Sequence, residues 1–266
     1  MKLGICQMYP EFGLIQENVN KACRVVNNME ADLVVLPELF NCGYQFTSKQ
    51  EVKMLAEEIP NGFTTQALAQ IAKAKDLYIV AGLAEKDNFH IYNSAVLIGP
   101  SGHIATYRKS HLFSEEKLWF DPGNTGFMVH DIGIAKIGMM VCFDWIFPEV
   151  ARILALKGVQ ILCQPANLVF TLCQKTMITR AIENRIFTVT ANRVGYEERN
   201  GRKRLTFTGL SQIVDPEGSC LCQLSKDQEE SCVVEIDPDR ALDKMFTEYN
   251  HLMEDRRIDL YKEIIN

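Results

Sequence analysis

Residues 137–149 read Ile-Gly-Met-Met-Val-Cys-Phe-Asp-Trp-Ile-Phe-Pro-Glu, and this stretch indicates how the chain is built. The apolar run 137–141 predicts a buried strand. Pro148 predicts the first turn of a helix, and Gly158 is expected to mark its end. Cys142 therefore lies at a strand–turn–helix junction, near helix amides that favour a thiolate. Since most free cysteines are buried structural residues, the junction alone leaves both interpretations of Cys142 open.

The alternation of helix and strand continues on both sides of this stretch. Apolar residues at helical spacing are followed by a short apolar run four times. The helical segments are 16–30, 64–74, 149–157 and 174–186, and the apolar runs that follow them are 33–36, 77–82, 159–163 and 187–191. Strands that alternate with helices in this way are typical of an α/β protein whose apolar strands are covered on both faces.

The two halves of the chain repeat one order of elements. In each half a helix leads to an apolar strand, a second helix, another strand and a last strand. That last strand ends in a turn containing Gly and Pro, at 99–102 and at 215–218. We interpret this order as a duplicated α-β-β-α pattern, with two sheets of similar build that share one core. Because no Ser-, Gly- or Pro-rich linker separates the halves, we predict one domain over residues 1–266.

Composition and charge exclude some classes of binding partner. The 266 residues include 28 Lys and Arg against 34 Asp and Glu, a formal net charge of −6. That balance offers no general basic surface for a phosphate backbone, so we expect no nucleic-acid partner. No apolar run approaches the roughly 18 residues that span a bilayer, and the N-terminus lacks a signal-peptide pattern. We therefore expect a cytoplasmic protein without a membrane partner.

The nine cysteines are an odd number scattered through apolar segments. Their spacing matches neither a disulfide framework nor a zinc site. We therefore expect thiols suited to a reducing compartment, and no structural metal.

Two further strand ends carry reactive side chains. Glu38 follows the apolar run 33–36, and Lys109 follows the run 104–107. In α/β folds ligands bind beyond the carboxyl ends of strands, so both positions are candidate site residues. A solvated loop acid is the ordinary alternative for Glu38, and an exposed basic turn is the alternative for Lys109.

His111 suggests either a cysteine–histidine hydrolase or a structural histidine. No serine-hydrolase, P-loop or dinucleotide-binding motif occurs.

Three segments taken in order resemble the signature segments of the nitrilase superfamily, the carbon–nitrogen hydrolases. They are Pro37-Glu38, Tyr107-Arg108-Lys109-Ser110-His111-Leu112-Phe113 and Cys142-Phe143-Asp144-Trp145-Ile146-Phe147-Pro148-Glu149. The family's glycine in Phe120-Asp121-Pro122-Gly123 and its Ala181-x-Glu183-Asn184-Arg185 helix also match, so the resemblance extends over nearly the whole chain. It implies a four-layer α-β-β-α sandwich with an internal pseudo-two-fold repeat, and pairing of chains into homodimers.

The resemblance also implies a catalytic apparatus. Glu38, Lys109 and Cys142 would form a Glu-Lys-Cys triad. The family's additional glutamate falls on Glu116, with Glu115 as the competing assignment. Lys109 would lower the pKa of the thiol and stabilise the oxyanion of a tetrahedral intermediate. Glu38 would move protons between thiol, leaving group and water. The resemblance implies no metal or organic cofactor.

Four residues are candidate substrate contacts. By family analogy the backbone N–H of Phe143 would bind the oxyanion. Tyr44, Trp145 and Asn167 are candidates for the pocket wall, although each also has an ordinary packing explanation.

The residues after the cysteine bear on the class of substrate. True nitrilases of the family commonly place Trp-Glu there and carry a long C-terminal extension, whereas this sequence has Phe143-Asp144 and ends at Asn266. This favours the amidase and N-carbamoyl hydrolase branches, with a small amide, an N-carbamoyl compound or a nitrile as substrate. Arg193 and Arg204 are candidate ligands for a substrate carboxylate. A glutaminase-like ammonia donor that acts with a partner, and a non-catalytic interaction protein, are the alternatives.

Overall fold

The computed structural model describes residues 1–265; Asn266, the last residue of the predicted domain, lies outside the described residues. The strands are β1 (Lys2–Gln7), β2 (Leu33–Val35), β3 (Tyr78–Asp87), β4 (His90–Gly99), β5 (Gly102–Arg108), β6 (Val129–Asp131), β7 (Lys136–Met139), β8 (Ile161–Pro165), β9 (Phe187–Ala191), β10 (Tyr196–Glu197), β11 (Leu205–Thr206), β12 (Gln212–Val214), β13 (Cys220–Gln223), β14 (Glu230–Glu235), β15 (Met245–Thr247) and β16 (Asn250–His251). The α-helices are α1 (Ile15–Asn28), α2 (Lys49–Leu55), α3 (Phe63–Lys75), α4 (Glu116–Trp119), α5 (Pro148–Leu156) and α6 (Leu172–Asn184), and the 3-10 helices are Cys142–Ile146, Pro238–Ala241, Ile258–Leu260 and Lys262–Ile265. Across residues 1–265, none of these helices has the length and apolar character needed to cross a membrane.

Two six-stranded sheets have the same internal order. The first runs β14-β1-β2-β3-β4-β5 and the second runs β6-β7-β8-β9-β12-β13. In each sheet the second, third and fourth strands pair in parallel, and the remaining pairs are antiparallel. This equivalence confirms the predicted duplication. The two sheets differ at one edge. The edge strand β6 comes directly before its neighbour β7 in sequence, whereas the edge strand β14 lies more than 200 residues after its neighbour β1.

Alternating side chains of the first sheet enter two different cores. In β2, Leu33 and Val35 join the core that also contains side chains of the second sheet. Val34, which points to the opposite face, joins a core formed with α1 and α3. Leu154 of α5 and Met177 of α6 pack with the second sheet. Helices therefore cover the outer faces, which confirms the four-layer α-β-β-α sandwich.

The predicted strand over 137–141 ends earlier in the structure. β7 stops at Met139, and Cys142 begins a 3-10 helix rather than an irregular turn. The physical reason is a competing acceptor, because the Asp144 carboxylate binds the backbone N–H of Val141 at 2.9 Å. That side chain takes the place of a neighbouring strand and ends the ladder.

One disulfide is present that the cysteine spacing did not predict. Cys222 of β13 is bonded to Cys232 of β14, so the bond joins edge strands of the two different sheets. Only the packing of the sandwich brings these edges together, which is why the spacing gives no sign of the pair. Among the other cysteines of the described chain, Cys142 is a free thiol.

Candidate active site

Cys142 occupies a strained position beyond the carboxyl end of β7. Its φ of +42° lies in the left-handed region, which costs a residue with a β-carbon on the order of 1–3 kcal/mol. The residue is 5% exposed. Gln164 of β8 donates from Nε2 to the carbonyl of Cys142 at 2.9 Å, and Thr190 of β9 donates to Gln164 Oε1 at 2.9 Å. These bonds from two neighbouring strands stabilise the strained conformation.

Asp144 connects the turn around the cysteine to the loop that carries Lys109. Its carboxylate is fully buried. Oδ2 accepts hydrogen bonds from the backbone N–H of Val141 at 2.9 Å and from the Tyr107 hydroxyl at 2.8 Å. Oδ1 accepts from the backbone N–H of His111 at 3.1 Å. Since Tyr107 and His111 flank Lys109 in sequence, Asp144 fixes the lysine loop relative to the turn that carries Cys142.

The ring of His111 makes structural contacts. Its Nδ1 lies 2.7 Å from Asp144 Oδ1, and the ring stacks on Phe147 with a centroid distance of 3.7 Å. These contacts support the structural interpretation of His111 over a cysteine–histidine pair.

Lys109 lies between two buried carboxylates. Its Nζ donates to Glu38 and to Glu116, at 2.8 Å in each case, and all three side chains are buried. Asn93 of β4 donates to the same oxygen of Glu38, Oε1, at 2.7 Å. The other oxygen, Oε2, is buried without a hydrogen-bond partner in the part of the chain that the structure describes. Oε2 therefore has its accepting capacity available for a proton.

Two glycines allow these groups to approach one another. A Cβ on Gly82 of β3 would lie 2.5 Å from the Cα of Glu38, so a larger residue would displace the carboxylate. Gly123 donates its N–H to the carbonyl of Lys109 at 2.9 Å, and a Cβ there would collide with the carbonyl of Arg108. The glycine of the family resemblance thus packs against the backbone that carries the lysine.

The structure distinguishes the two adjacent glutamates. Glu116, the first residue of α4, is buried and accepts hydrogen bonds from Lys109 and, at 2.7 Å, from the Tyr44 hydroxyl. Glu115 is exposed and forms an ion pair with Arg202. Of the two, Glu116 is the one that contacts the lysine.

Burial and charge set the protonation states of these groups. Burial lowers the pKa of Lys109, but the charges of Glu116 and Glu38 outweigh it and hold that pKa well above its usual range. The side chain is therefore an ammonium. Burial raises the pKa of the Cys142 thiol well above its ordinary value; Glu38 adds to this shift and Lys109 opposes it. Lys109 thus lowers the pKa of the thiol, as predicted, but burial raises it by more. The resting cysteine is therefore a protonated thiol. Burial also raises the pKa of Glu116.

The carboxylates of the site are paired with a lysine and do not form a metal centre. Within residues 1–265, no group of three or more His, Cys, Asp and Glu side chains is arranged to hold a metal ion.

A small apolar cavity lies against the thiol. Its volume is about 210 Å³, and its lining includes Cys142, Phe143, Trp145 and Asn167. Both polar atoms of the Asn167 side chain are buried without a partner among the described residues. Phe143 is the second residue of the 3-10 helix, whose first backbone hydrogen bond is donated by Asp144. The N–H of Phe143 is therefore one of the donors that the start of a helix leaves without a partner inside the helix. Three of the four predicted substrate contacts therefore line one cavity.

Tyr44, the fourth predicted contact, lines a second cavity of about 210 Å³. Glu116 and Arg202 belong to the same lining. Phe113 and Val169 border both cavities, so the second cavity adjoins the first.

The two arginines predicted to meet a substrate carboxylate lie elsewhere. Arg193 is fully buried and pairs with Glu197 at 2.5 Å. Glu197 also accepts the backbone N–H of Tyr44 at 3.1 Å, so Arg193 supports the loop that presents Tyr44. Arg204 pairs with Glu198 at 2.8 Å, and more than half of its side chain is exposed. Neither arginine belongs to the lining of the two cavities.

Sequence reasoning assigned no role to Asn93, Asp144 or Arg202. The sequence does mark Asn93 as unusual, because it is a polar residue within the apolar strand β4. Asp144 lies within the cysteine motif, but its partners are distant in sequence, and Arg202 is one of several basic residues in a polar stretch. For these two residues the sequence carries no comparable signal.

Comparisons with known proteins show the family and the fold. The carbon–nitrogen hydrolase family model matches residues 2–243. A nitrilase from Pyrococcus abyssi is 46% identical over 264 residues, which are 98% of this chain and 99% of that protein. A solved carbon–nitrogen hydrolase from Helicobacter pylori G27 superposes with a TM-score of 0.90 at 28% identity, covering 100% of this chain and 98% of that chain.

A solved mutant of the amidase from Nesterenkonia sp. AN1 superposes with a TM-score of 0.79 at 25% identity, covering 99% of each chain. That structure shows the result of Michael addition of acrylamide at the active-site cysteine of the amidase. Because the family model matches most of the sequence, the chain belongs to the carbon–nitrogen hydrolase family, the nitrilase superfamily. It is an enzyme of this nitrilase and amidase family, as the motifs predicted.

Proposed function

We propose that the enzyme hydrolyses a non-peptide C–N bond in a small amide, an N-carbamoyl compound or a nitrile, through a thioester on Cys142. The observation that carries this proposal is the buried ammonium of Lys109 bonded to the carboxylates of Glu38 and Glu116. All three charges act on the Cys142 thiol. A cavity of small-molecule size borders that thiol, so a substrate carbon would lie within reach of Sγ.

In the first step the thiol loses its proton as it attacks. Because burial keeps the pKa of Cys142 high, a base must remove the proton, and in this proposal the base is Glu38, whose charge acts on the thiol and whose Oε2 is unpaired among the described residues. Sγ bonds to the substrate carbon, and an electron pair moves onto the substrate's oxygen or nitrogen. The Lys109 ammonium and the Phe143 N–H stabilise this charge. Removing one such donor costs about 2.7–4 kcal/mol of transition-state stabilisation in a known enzyme.

In the second step the proton held by Glu38 passes to the leaving nitrogen. Ammonia or an amine departs and a thioester remains on Cys142; an N-carbamoyl substrate leaves the corresponding S-carbamoyl group, which water removes in the same way. Glu38 then takes a proton from water as the water attacks the thioester, and this proton returns to the thiol as the acid product leaves. A nitrile needs one additional water to reach the same thioester. Each proton taken by Glu38 is given back, so the cycle closes on the residues of this chain.

Ammonia release over a panel of substrates tests the proposal. The panel contains simple amides, ω-amides, N-carbamoyl amino acids and dinitriles. Phe143-Asp144 after the cysteine favours the amides and carbamoyl compounds, while the relative named as a nitrilase supports including nitriles. We expect at least one of these classes to be hydrolysed. Wild-type protein that is readily alkylated at Cys142 but hydrolyses none of them would contradict the proposal.

A Glu38→Gln variant is expected to lower kcat about 10²–10⁴-fold. Glutamine keeps the shape of the side chain but cannot accept the thiol proton at Oε2. The fold should persist, because Lys109 retains its bond to Glu116. The measurement is kcat for a responding substrate, with thermal unfolding to verify the fold. Glu30→Gln, a change at an exposed glutamate, is the control. A Glu38→Gln enzyme with kcat within threefold of wild type would remove Glu38 from the mechanism.

The alternatives on the same fold have less support. A non-catalytic interaction protein gives no physical reason to bury an ammonium and two carboxylates beside a thiol, since burying charges has a desolvation cost. A glutaminase-like donor would use the same residues. It would be distinguished by ammonia release that rises on addition of a partner enzyme.

The proposal includes one domain over residues 1–266, a cytoplasmic location and a homodimer. Support for the dimer comes from apolar side chains left exposed on α5, on α6 and near the C-terminus. They include Ile153, Leu156, Ile182 and Phe246. A second copy of the chain would cover such a surface in a two-fold arrangement. Sedimentation equilibrium is expected to give the mass of two chains, and Leu156→Asp should shift it toward one. A single-chain mass for wild type would contradict the dimer.

A further inference from the structure

The second cavity carries charged side chains at its outer end. Its deeper lining residues are Tyr44, which is half-buried, and Glu116, which is buried; they are hydrogen-bonded to each other, and Glu116 shares the Lys109 ammonium with Glu38. At the exposed part of the lining lie Arg202 and Lys203.

These outer charges leave an excess of positive charge. Arg202 forms an ion pair with Glu115, which is largely exposed. Lys203 adds a second cation next to that pair. With Glu116 deeper in the lining the charges of the whole cavity balance, so an anionic group is favoured locally, at the outer end beside Arg202 and Lys203.

The loop that carries Arg202 is fixed by hydrogen bonds. Gln45, next to Tyr44, donates from Nε2 to the carbonyl of Lys203 at 2.8 Å and accepts the backbone N–H of Arg199 at 2.8 Å. Arg199 also pairs with Glu51 of α2 at 2.6 Å. These contacts hold both ends of the segment that carries the arginine, so little ordering is needed when a ligand binds.

Arg202 itself is oriented in the cavity wall. Its guanidinium lies 5.6 Å from the centre of the Trp119 ring, which also lines the cavity. About 29% of the side chain is exposed. A guanidinium has five donors, so pairing with Glu115 leaves others for a second carboxylate.

We propose that Arg202, assisted by Lys203, binds a carboxylate of the substrate. The preferred substrates are then small amides or carbamoyl compounds that carry a carboxylate at the end remote from the scissile bond. This inference rests on the proposed hydrolase function and names its substrate class. It also assigns Arg202 the role that the sequence had suggested for Arg193 or Arg204.

Amides of similar overall length that differ in the remote group test the inference. Glutaramate carries a carboxylate, hexanamide a methyl group and δ-aminovaleramide an ammonium. We expect kcat/KM for glutaramate to exceed that of the other two by about 10- to 100-fold, mainly through KM. Arg202→Ala should remove this preference and change the rate on hexanamide less than threefold. Arg202→Lys should retain part of the preference for glutaramate, because lysine keeps the positive charge but lacks the planar guanidinium that binds a carboxylate through two hydrogen bonds.

Arg204→Ala is the matched control, since it removes the same charge from an exposed residue outside the cavity. It should retain the preference for glutaramate. Equal kcat/KM on all three compounds in wild type would overturn the inference. An equal loss on all three in Arg202→Ala would also overturn it, because the arginine would then be structural.

A binding experiment separates this inference from the proposed function. Calorimetry measures glutaramate binding to the Cys142→Ala protein and to the same protein with Arg202→Ala. We expect the affinity to fall about tenfold or more when Arg202 is removed. If that loss is seen but wild type hydrolyses nothing, the carboxylate site stands and the hydrolase proposal fails. If wild type hydrolyses amides but the affinity is unchanged, the carboxylate site fails and the hydrolase proposal stands.

Discussion

Replacing Cys142 with alanine is expected to reduce kcat/KM by a factor on the order of 10⁵, without loss of the fold. Without Sγ no thioester can form, and Lys109 has no covalent intermediate to stabilise. The cavity beside Cys142 would gain only the volume of one sulfur atom, so the effect on stability should be small. The measurement is the initial rate of ammonia release, with the thermal midpoint as the test of folding.

The control for this variant is Cys6→Ala. Cys6 lies in β1 in the core against α1 and α3, and burial raises its pKa to about 12. Like Cys142 it is a buried protonated thiol, but it does not belong to the lining of either cavity. We expect the Cys6→Ala enzyme to stay within threefold of wild type. If Cys142→Ala keeps a tenth of the wild-type rate, another residue is the nucleophile.

The sheet architecture could be predicted because it follows from local patterns. An apolar run such as 33–36 after a helical segment defines a strand and its crossover, and this succession occurs in both halves. The structure places the two sets of strands in equivalent positions. The ends of strands were less predictable, as at Met139, because the Asp144 side chain takes the place of a strand partner.

The candidate site could be predicted only in part. Glu38, Lys109 and Cys142 were found because they follow strands and match motifs. Residues that support them act across long distances in sequence. Asn93 contacts a carboxylate 55 residues away, and Asp144 contacts a tyrosine 37 residues away. No local pattern encodes such contacts.

The protonation state of the Cys142 thiol shows a second limit of sequence reasoning. The sequence identifies Lys109 as a cation that lowers the pKa of the Cys142 thiol. It does not tell how deeply the thiol is buried, and burial is the larger effect here. Because burial outweighs the charge of Lys109, the thiol keeps its proton, and the proposed mechanism requires Glu38 as a base to remove it. An exposed thiol would lose its proton more readily.

Replacing Lys109 with methionine is expected to lower the free energy of unfolding by about 3–5 kcal/mol at neutral pH. Methionine retains most of the volume but leaves Glu38 and Glu116 facing each other without a cation. The same change should lower kcat about 10²–10³-fold, since the oxyanion loses its ammonium. Denaturant unfolding and steady-state rates measure the two effects.

The stability of the Lys109→Met protein should also depend on pH in a defined direction. Burial already raises the pKa of Glu116, and Lys109 opposes that shift. Without the lysine the folded state should bind more protons than the unfolded state, from the ordinary glutamate value of 4.5 up to the raised value. Unfolding free energy should therefore fall as pH rises through this window, and acidification toward about pH 5 should restore part of the loss.

An exposed lysine provides the comparison for this effect. Lys49 lies 4.0 Å from Asp121 with more than half of its side chain exposed, so Lys49→Met should change stability by less than about 1 kcal/mol. It should show no gain on acidification. If Lys109→Met were equally stable and equally insensitive to pH, the two carboxylates would not depend on the lysine for their charge. The buried ion pair between Lys109 and Glu38 would then not contribute to the folded state, and the proposed site would lose its main support.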